Sequence, residues 1–401
     1  MRRVVLLLGV ASNLIFANSF IDALKSGTKE GDINLIFDFN NAKPQKGEDD
    51  DFYKNNSYLV TSFGLYYQSA FYENFRLNLG FRGALPLYEG NRNSTYTYGK
   101  GDAARDFTTK AMIARSYLEY FDGDTSIKAG RVEAPNEILF YQFDGISIQN
   151  KTLGFMLIDF MWMNQYGNAL DNQLVQFFPI MDKDGKLAKY GGSYYLGFTF
   201  EFIEYLKFKL YAMSAPDIYT FVGATVNVNV PYFSASTTFV QGFEHKLSHY
   251  ANQLSYVFSI DLQANVDPFY AGLGYIKTSK DAGEGSLDIA GITLYPFLVD
   301  GYFVEKYRDV NLIYGKLGIS IADMLSLDGI YGYRTLKKRS SNGTTDNTTY
   351  AGGEVDLYFN WQATENMNAI LYYTNSHPFS NPSSDPIPNI NRFGVMFKLS
   401  F

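Results

Sequence analysis

The sequence predicts an all-β fold, a transmembrane antiparallel β-barrel of about 18 strands. Three observations predict it. Apolar and polar residues alternate through most of the 401-residue chain. A basic and then apolar leader precedes this pattern, and short connections between the predicted strands alternate with long polar ones.

The alternation is clearest in the last stretch, residues 391–401. Every second residue from Phe393 to Phe401 is apolar, whereas the alternate residues from Arg392 to Ser400 include two bases, Arg392 and Lys398. A strand places successive side chains on opposite faces, so one face is apolar and the other polar. Such an edge would promote aggregation in water unless the strand pairs with the first strand and closes the sheet. An apolar exterior around a polar interior is the membrane form of that barrel.

Composition excludes several classes of protein. The chain has no Cys, which removes disulfides and thiolate metal sites. Its net charge of −7 argues against nucleic-acid binding. Mean hydropathy is −0.16, too polar for a helical membrane protein. No segment after residue 17 has the roughly 20 consecutive apolar residues that a membrane helix needs.

The first 17 residues predict a signal peptide, followed by a single domain at 18–401. Arg2 and Arg3 form a basic start, an apolar run from Val4 to Phe16 follows, and Ala17 suits a cleavage site. A buried first strand or a membrane anchor is the alternative interpretation. Export to the outer membrane of a Gram-negative bacterium is the expected localisation. Loss of Arg2 and Arg3 takes the net charge from −7 to −9 (−7 minus 2).

Strands follow one another after a short helical turn at 20–25. A tight turn around Tyr72-Glu73 joins the second and third strands. The stretch 279–307 is compatible with one strand, two strands or a long loop. The predicted strands are 32–39, 58–71, 74–83, 108–121, 125–131, 144–150, 154–164, 192–202, 205–213, 218–228, 232–241, 253–263, 269–278, 309–320, 324–334, 350–362, 366–375 and 391–401.

The segment from Ile127 to Asn164 resembles a known family. A strand reaches Gly130-Arg131, a loop follows, and the chain returns through Gly145 to Asn150-Lys151. This arrangement is similar to that of the OprD-type porins and the related major outer-membrane porins of epsilonproteobacteria. The stretch at 20–27 and the closing strand are also similar to that family.

The resemblance implies an 18-stranded trimeric pore whose third loop, here 132–142, folds inward as a constriction. Glu133, Asn136 and Glu137 would then lie on the constriction, with Asp144 near its return. The resemblance further implies a closing strand, ending in Phe401, that the barrel assembly machinery recognises.

Five basic residues are candidates for the lumen wall opposite these acids. Opposed acidic and basic groups in a narrow channel select solutes by charge and size. The family is known for a basic ladder that attracts carboxylates, whereas this sequence scatters its bases among acids. We therefore expect mild cation preference, aided by the acidic run 48–51 near a loop mouth. The acidic run 48–51 could instead bind Ca²⁺. For the lumen charges, the simplest interpretation is that they only hydrate a water-filled interior. The five bases are Arg76, Arg82, Arg115, Lys128 and Arg131.

Signals for catalysis are weak. Only three His occur, and His245 and His249 lack a third metal ligand nearby in sequence. His377 precedes a proline in a predicted loop, and no phosphate-binding loop or dinucleotide motif is present. We predict no enzyme activity, no cofactor and no metal site.

The predicted function is passive diffusion of small hydrophilic solutes and ions across the outer membrane. Expected partners are the lipid bilayer, lipopolysaccharide and the solutes, in a homotrimer, without nucleic acid. Two alternatives stay open. One is a substrate-specific channel with a saturable site, and the other is a non-conducting barrel that acts as an adhesin or receptor.

Overall fold

The structure is a computed structural model that describes most of the chain. The predicted signal peptide at 1–17, the acidic run 48–51 and most of the undecided stretch 279–307 lie outside the described residues. The described residues are 19–43, 54–96, 99–134, 142–182, 184–188, 191–248, 254–280, 296–298, 307–321, 324–338, 348–379, 387 and 389–401.

Eighteen antiparallel strands close into a barrel within the described residues, which confirms the predicted fold class and strand number. Each of the eighteen predicted ranges overlaps one barrel strand. The barrel strands are β1 (Thr28–Lys43), β2 (Asn56–Gln68), β3 (Phe75–Glu89), β6 (Ala111–Phe121), β7 (Thr125–Glu133), β8 (Gln142–Asn150), β9 (Met156–Ala169), β11 (Ser193–Ile203), β12 (Leu206–Ala215), β13 (Tyr219–Val230), β14 (Phe233–Glu244), β15 (Leu254–Val266), β16 (Phe269–Thr278), β17 (Tyr307–Ile321), β18 (Leu325–Lys338), β19 (Thr349–Thr364), β20 (Met367–Pro378) and β21 (Asn389–Ser400).

Three short strands that the alternation did not predict stand apart from these eighteen. They are β4 (Thr95–Tyr96) and β5 (Gly99–Lys100), which pair with each other, and β10 (Leu174–Pro179), which pairs with the end of β9. All three lie in long connections on the side of the barrel opposite the chain termini.

The last strand closes the sheet against the first, as predicted. β21 pairs with β1 from Asp32 opposite Ser400 to Lys43 opposite Asn389. Gly31 and Phe401 exchange two further backbone hydrogen bonds of 2.8 and 2.9 Å. Because β1 also pairs with β2, neither end of the sheet is left as an open edge.

The two faces of the wall differ in polarity. On β3, Phe75, Leu79 and Phe81 are 40–45% exposed on the outer face. Asn78 and Arg82 alternate with them and are buried on the lumen side. The predicted pattern, with apolar residues outside and polar residues inside, is therefore confirmed for this strand. An apolar outer face of this kind is compatible with contact to lipid rather than to water.

The end of the barrel that carries the termini has tight turns. Glu73 and Asn74 both adopt positive φ between β2 and β3, a backbone region that Asn tolerates better than most residues. The predicted helical turn is helix α1 (Phe20–Lys25), capped by Ser19. Tyr67 anchors it by donating a 2.5 Å hydrogen bond to the carbonyl of Leu24.

The wall is lowest at β7 and β8, which have nine residues each, whereas β1 and β19 have 16. Nine tilted residues are about the minimum that crosses a membrane. The long connections on either side of this low wall turn toward the lumen.

We predict that Leu210→Arg, on the outer face in the middle of β12, destabilises the barrel in a bilayer by about 2–4 kcal/mol, because lipid does not solvate the guanidinium. The measurement is equilibrium guanidinium unfolding in lipid vesicles. The control is Ser236→Arg, which opposes Asp261 on the lumen side in the β14–β15 register and should cost little. Equal losses in the two variants would contradict the assignment of faces.

Candidate pore constriction

The register aligns lumen-facing residues of neighbouring strands in rows. One row runs through Arg76, Glu119, Lys128, Ser147 and Met161. Its neighbours on each strand belong to the outer face, which carries Leu118, 50% exposed. Four of the five basic candidates, Arg76, Arg82, Arg115 and Lys128, have side chains on the lumen side.

Arg82 is held by a carboxylate on the first strand. It forms two parallel hydrogen bonds with Asp32, of 2.9 and 2.6 Å, and both side chains are buried. Ser62 and the hydroxyl of Tyr66 occupy its remaining donors. A bidentate pair of this kind is fixed in geometry and neutral overall.

Arg76 pairs with Glu119 at 2.5 Å, and its guanidinium also lies 4.7 Å from the ring centroid of Phe71. Ser126 donates a second hydrogen bond to Glu119. Like Arg82, Arg76 therefore contributes little net charge to the lumen.

Arg115 and Lys128 contact aromatic rings instead. The Arg115 guanidinium lies 4.2 Å from the centroid of Tyr66, and the Lys128 ammonium lies 5.7 Å from that of Tyr117. The carboxylate nearest Arg115 among the described residues is Glu133, at 3.9 Å. Among the described residues of this part of the wall, Arg115 and Lys128 are therefore the cations whose charge is least compensated by a carboxylate. They are the most available to a solute in the lumen.

Arg131 and Asp144 lie on the other face of the wall, which differs from the predicted lumen position. They oppose each other in the β7–β8 register, in the row of Ser116, and alternate with the lumen-side Lys128. The two form a bidentate pair of 2.7 and 2.8 Å, covered by the ring of Phe177 at 3.6 Å from the guanidinium. The physical reason is parity, because odd-numbered residues of β7 point outward.

Glu133 ends β7, and its side chain is 59% exposed. Asn136 and Glu137, and with them most of the predicted constriction loop 132–142, lie outside the described residues.

Two other segments fold into the lumen. The first inward segment, residues 99–110, contains a 3-10 helix (Asp102–Arg105). Arg105 donates to Asp38 of β1 at 2.8 Å and to Asp106 at 2.8 Å. Arg392 of β21 donates to the other oxygen of Asp38 at 2.8 Å. Two arginines and two aspartates thus meet at the seam between the first and last strands.

Hydroxyl groups complete this four-charge cluster. Tyr58 donates to Asp106 at 2.6 Å, and Tyr372 donates to Asp38. Burial and the nearby Arg392 would lower the pKa of Arg105, but Asp106 and Asp38 outweigh them and raise that pKa above its ordinary value. With two guanidinium groups and two carboxylates, the cluster has matched numbers of basic and acidic groups.

The second inward segment, residues 170–182, continues from β9 and includes β10. Leu174 is fully buried against the lumen-side residues Ile36, Val60 and Ala114. At the tip, Asp171 pairs with Lys398 of β21 at 2.9 Å, across the barrel from the strand that precedes it. The segment therefore crosses the lumen.

The two inward segments also bind each other. The Leu174 amide donates to the Asp106 carbonyl at 2.9 Å, and the Thr108 amide donates to the Leu174 carbonyl at 2.8 Å. The Gln176 amide donates to the Thr108 hydroxyl at 3.0 Å. Together the segments form one partition from β9 to the β1–β21 seam. The alternation of apolar and polar residues does not predict this partition.

The opposite wall repeats the pairing of charges. Asp261 accepts from Lys316 and from the Tyr314 hydroxyl, each at 2.6 Å. Arg334 lies 3.4 Å from Glu354, with both side chains buried. Among the described residues, these matched pairs leave this wall with little net charge.

The described residues contain neither a group of three potential metal ligands nor a helix long and apolar enough to cross a membrane. His245 bonds Thr220 at 2.9 Å, and His249 lies outside the described residues.

We predict that Asp38→Asn lowers the free energy of unfolding by about 3–5 kcal/mol, because it leaves two buried guanidinium groups with one carboxylate. Denaturant titration in lipid vesicles measures it. The matched control Glu201→Gln breaks the exposed pair with Lys207 and should cost less than about 1 kcal/mol. A loss at Asp38 no larger than that would contradict a buried cluster.

We also predict that Asp171→Asn raises single-channel conductance and its fluctuations, because the tip of the second inward segment loses its ion pair with Lys398. Planar-bilayer recording checks this, and Lys398→Gln should give the same effect without adding to it. Unchanged conductance in both variants would mean that this tip does not limit the pore.

No family model and no curated protein matches the sequence. Solved structures do match its fold. Pseudomonas aeruginosa OpdK, crystallised with vanillate, superposes with a TM-score of 0.73 at 13% identity over 94% of this chain and 99% of OpdK. OccK3 (OpdO) of the same species gives 0.72 at 10% over 95% and 97% of the two chains. Acinetobacter baumannii OccAB3 gives 0.73 at 11% over 94% and 100%. At these identities the likeness concerns architecture, and the chain has the fold of the OprD/Occ outer-membrane channels.

Proposed function

We propose that the chain is an outer-membrane channel for passive diffusion of small hydrophilic solutes and ions. One observation carries the proposal: a closed barrel with an apolar exterior holds a polar lumen that two inward segments cross. A barrel closed in this way separates lipid from a hydrated path, and the partition limits the size of what passes.

Selection would be mainly by size, with a weak contribution from charge. The pairs of Arg82 with Asp32 and Arg76 with Glu119 cancel locally. Arg115 and Lys128 remain the most available cations, and we propose that Glu133 and the loop 132–142 face them. The net charge of −7 supports mild cation preference for the whole path.

A substrate-specific channel with a saturable site is the second candidate. The observation that favours it is the pair of cations against tyrosine rings, Arg115 with Tyr66 and Lys128 with Tyr117. A cation beside an aromatic face suits a solute with a carboxylate and a flat ring. OpdK was crystallised with vanillate, a solute of that kind, and we use it here as a probe.

The remaining parts of the proposal concern assembly. We propose that residues 1–17 direct export, that the closing strand ending in Phe401 is recognised by the barrel assembly machinery, and that the protein is a homotrimer in a membrane containing lipopolysaccharide.

The test is single-channel recording of the purified protein in a planar bilayer under a salt gradient, with and without sodium vanillate. We expect conductance in three equal steps per insertion, a reversal potential displaced toward cations, and no block by vanillate. Arg115→Gln with Lys128→Gln should move the reversal potential further toward cations, and Lys207→Gln with Lys29→Gln serves as the charge-matched control at the rim near the termini.

Three other outcomes would contradict parts of this proposal. Saturable vanillate block that the Arg115 and Lys128 substitutions abolish would establish the specific channel instead. Single steps would contradict the trimer. A folded barrel that passes no current would exclude the pore and favour an adhesin or receptor.

A further inference from the structure

A cluster of basic residues lies at the rim of the barrel far from the termini, outside the lumen. Lys277 of β16 and Lys337 of β18 both bind Asp309 of β17, at 2.6 and 2.9 Å. One carboxylate thus serves two ammonium groups, so these three described side chains carry a net positive charge. Lys280 nearby is exposed, and Arg308 opposes Lys337 in the register and donates a hydrogen bond to the Lys280 carbonyl.

The β16–β17–β18 register assigns this cluster to the outer face. Lys277, Asn311 and Thr335 are directly opposite one another. The next row on the same face contains Ile313 and Tyr333, which are 60% and 43% exposed. The residues between these rows, Leu312 and Arg334, are buried on the lumen side. The lysines therefore look outward from the barrel, immediately above an apolar and aromatic band.

An apolar groove of about 700 Å³ lies on the same outer face further along these strands. Its sides include Leu262, Leu273, Leu317 and Leu357, and its floor includes Gly315 and Gly329. Leu273 is four residues before Lys277 on β16, about 13 Å along a strand. The basic cluster at the rim and the apolar groove below it thus lie on the same strands, β16 to β18.

We propose that this face binds a lipid whose headgroup carries phosphate, with the phosphate at Lys277 and Lys337 and an acyl chain in the groove. The proposal rests on the proposed placement in the outer membrane, where the rim far from the termini meets the outer leaflet. Lysine is a point-charge binder of phosphate, and basic residues near a membrane surface favour anionic lipids. An acyl chain fills the hollow that the glycines leave in a wall otherwise lined by large side chains.

The test measures binding to the purified barrel in neutral detergent by native mass spectrometry and titration. The probes are lipid A, enzymatically dephosphorylated lipid A, and inorganic phosphate. We expect lipid A to bind, and Lys277→Gln with Lys337→Gln to weaken it about tenfold. The control Lys29→Gln with Lys207→Gln removes the same charge at the opposite rim and should leave binding unchanged.

A second variant tests the groove separately. At Gly315 an added Cβ would meet only ordinary contacts, with Leu273 at 3.7 Å as its nearest neighbour, so Gly315→Leu should fold. It should weaken lipid A binding while both lysines remain. Resistance to unfolding in unheated detergent gels verifies that each variant is folded.

Three results would overturn the proposal. One is equal binding of lipid A and its dephosphorylated form. Another is inorganic phosphate binding as tightly as lipid A, which would indicate a site for free phosphate. The third is full binding by the double lysine variant. Conductance of the same preparations separates the two proposals, since Lys277 and Lys337 face outward and their loss should not change the current. A preparation that binds lipid but does not conduct would count against the channel alone.

Discussion

Closure of the sheet is the constraint on which the rest of the structure depends. A bilayer offers no hydrogen bonds, so every backbone N–H and C=O of a spanning strand needs a protein partner. The pairing of β21 with β1 supplies those partners for the two strands that would otherwise be edges. Once closure is imposed, the period of two along each strand sorts side chains into an apolar exterior and a polar interior.

A polar interior creates a second requirement when segments fold into it. The inward segments exclude water from parts of the lumen, and charges buried there need direct partners. Asp38 and Arg105 meet this requirement by pairing with each other and with groups on both sides of the seam. The ion pairs therefore hold the segments that narrow the pore. Because each pair joins an acid to a base, it adds little net charge to the lumen.

The sequence allowed the barrel and its strand number to be predicted, because alternation is a local signal. The same alternation gives Arg76, Arg82, Arg115 and Lys128 the parity of the lumen side. Parity also separates Arg131 from Lys128. The two are three residues apart on β7, so their side chains belong to opposite faces of that strand.

The partition could not be predicted, because its contacts join residues far apart in the chain. Asp38 and Arg392 are 354 positions apart, and Asp171 and Lys398 are 227 apart. No periodicity marks Leu174 as a residue that ends in the lumen, since its environment comes from β1, β2 and β6. Long polar connections look the same in sequence whether they turn outward or inward.

The anchoring of the partition at the seam has a consequence for the order of folding. Arg392 and Lys398 belong to β21, which follows the other described strands in the chain, and contacts of such long sequence separation are slow to form. Until β21 joins β1, Asp38 lacks its ion pair with Arg392 and Asp171 lacks its ion pair with Lys398. Closure of the barrel therefore completes two of the ion pairs that hold the inward segments in the lumen.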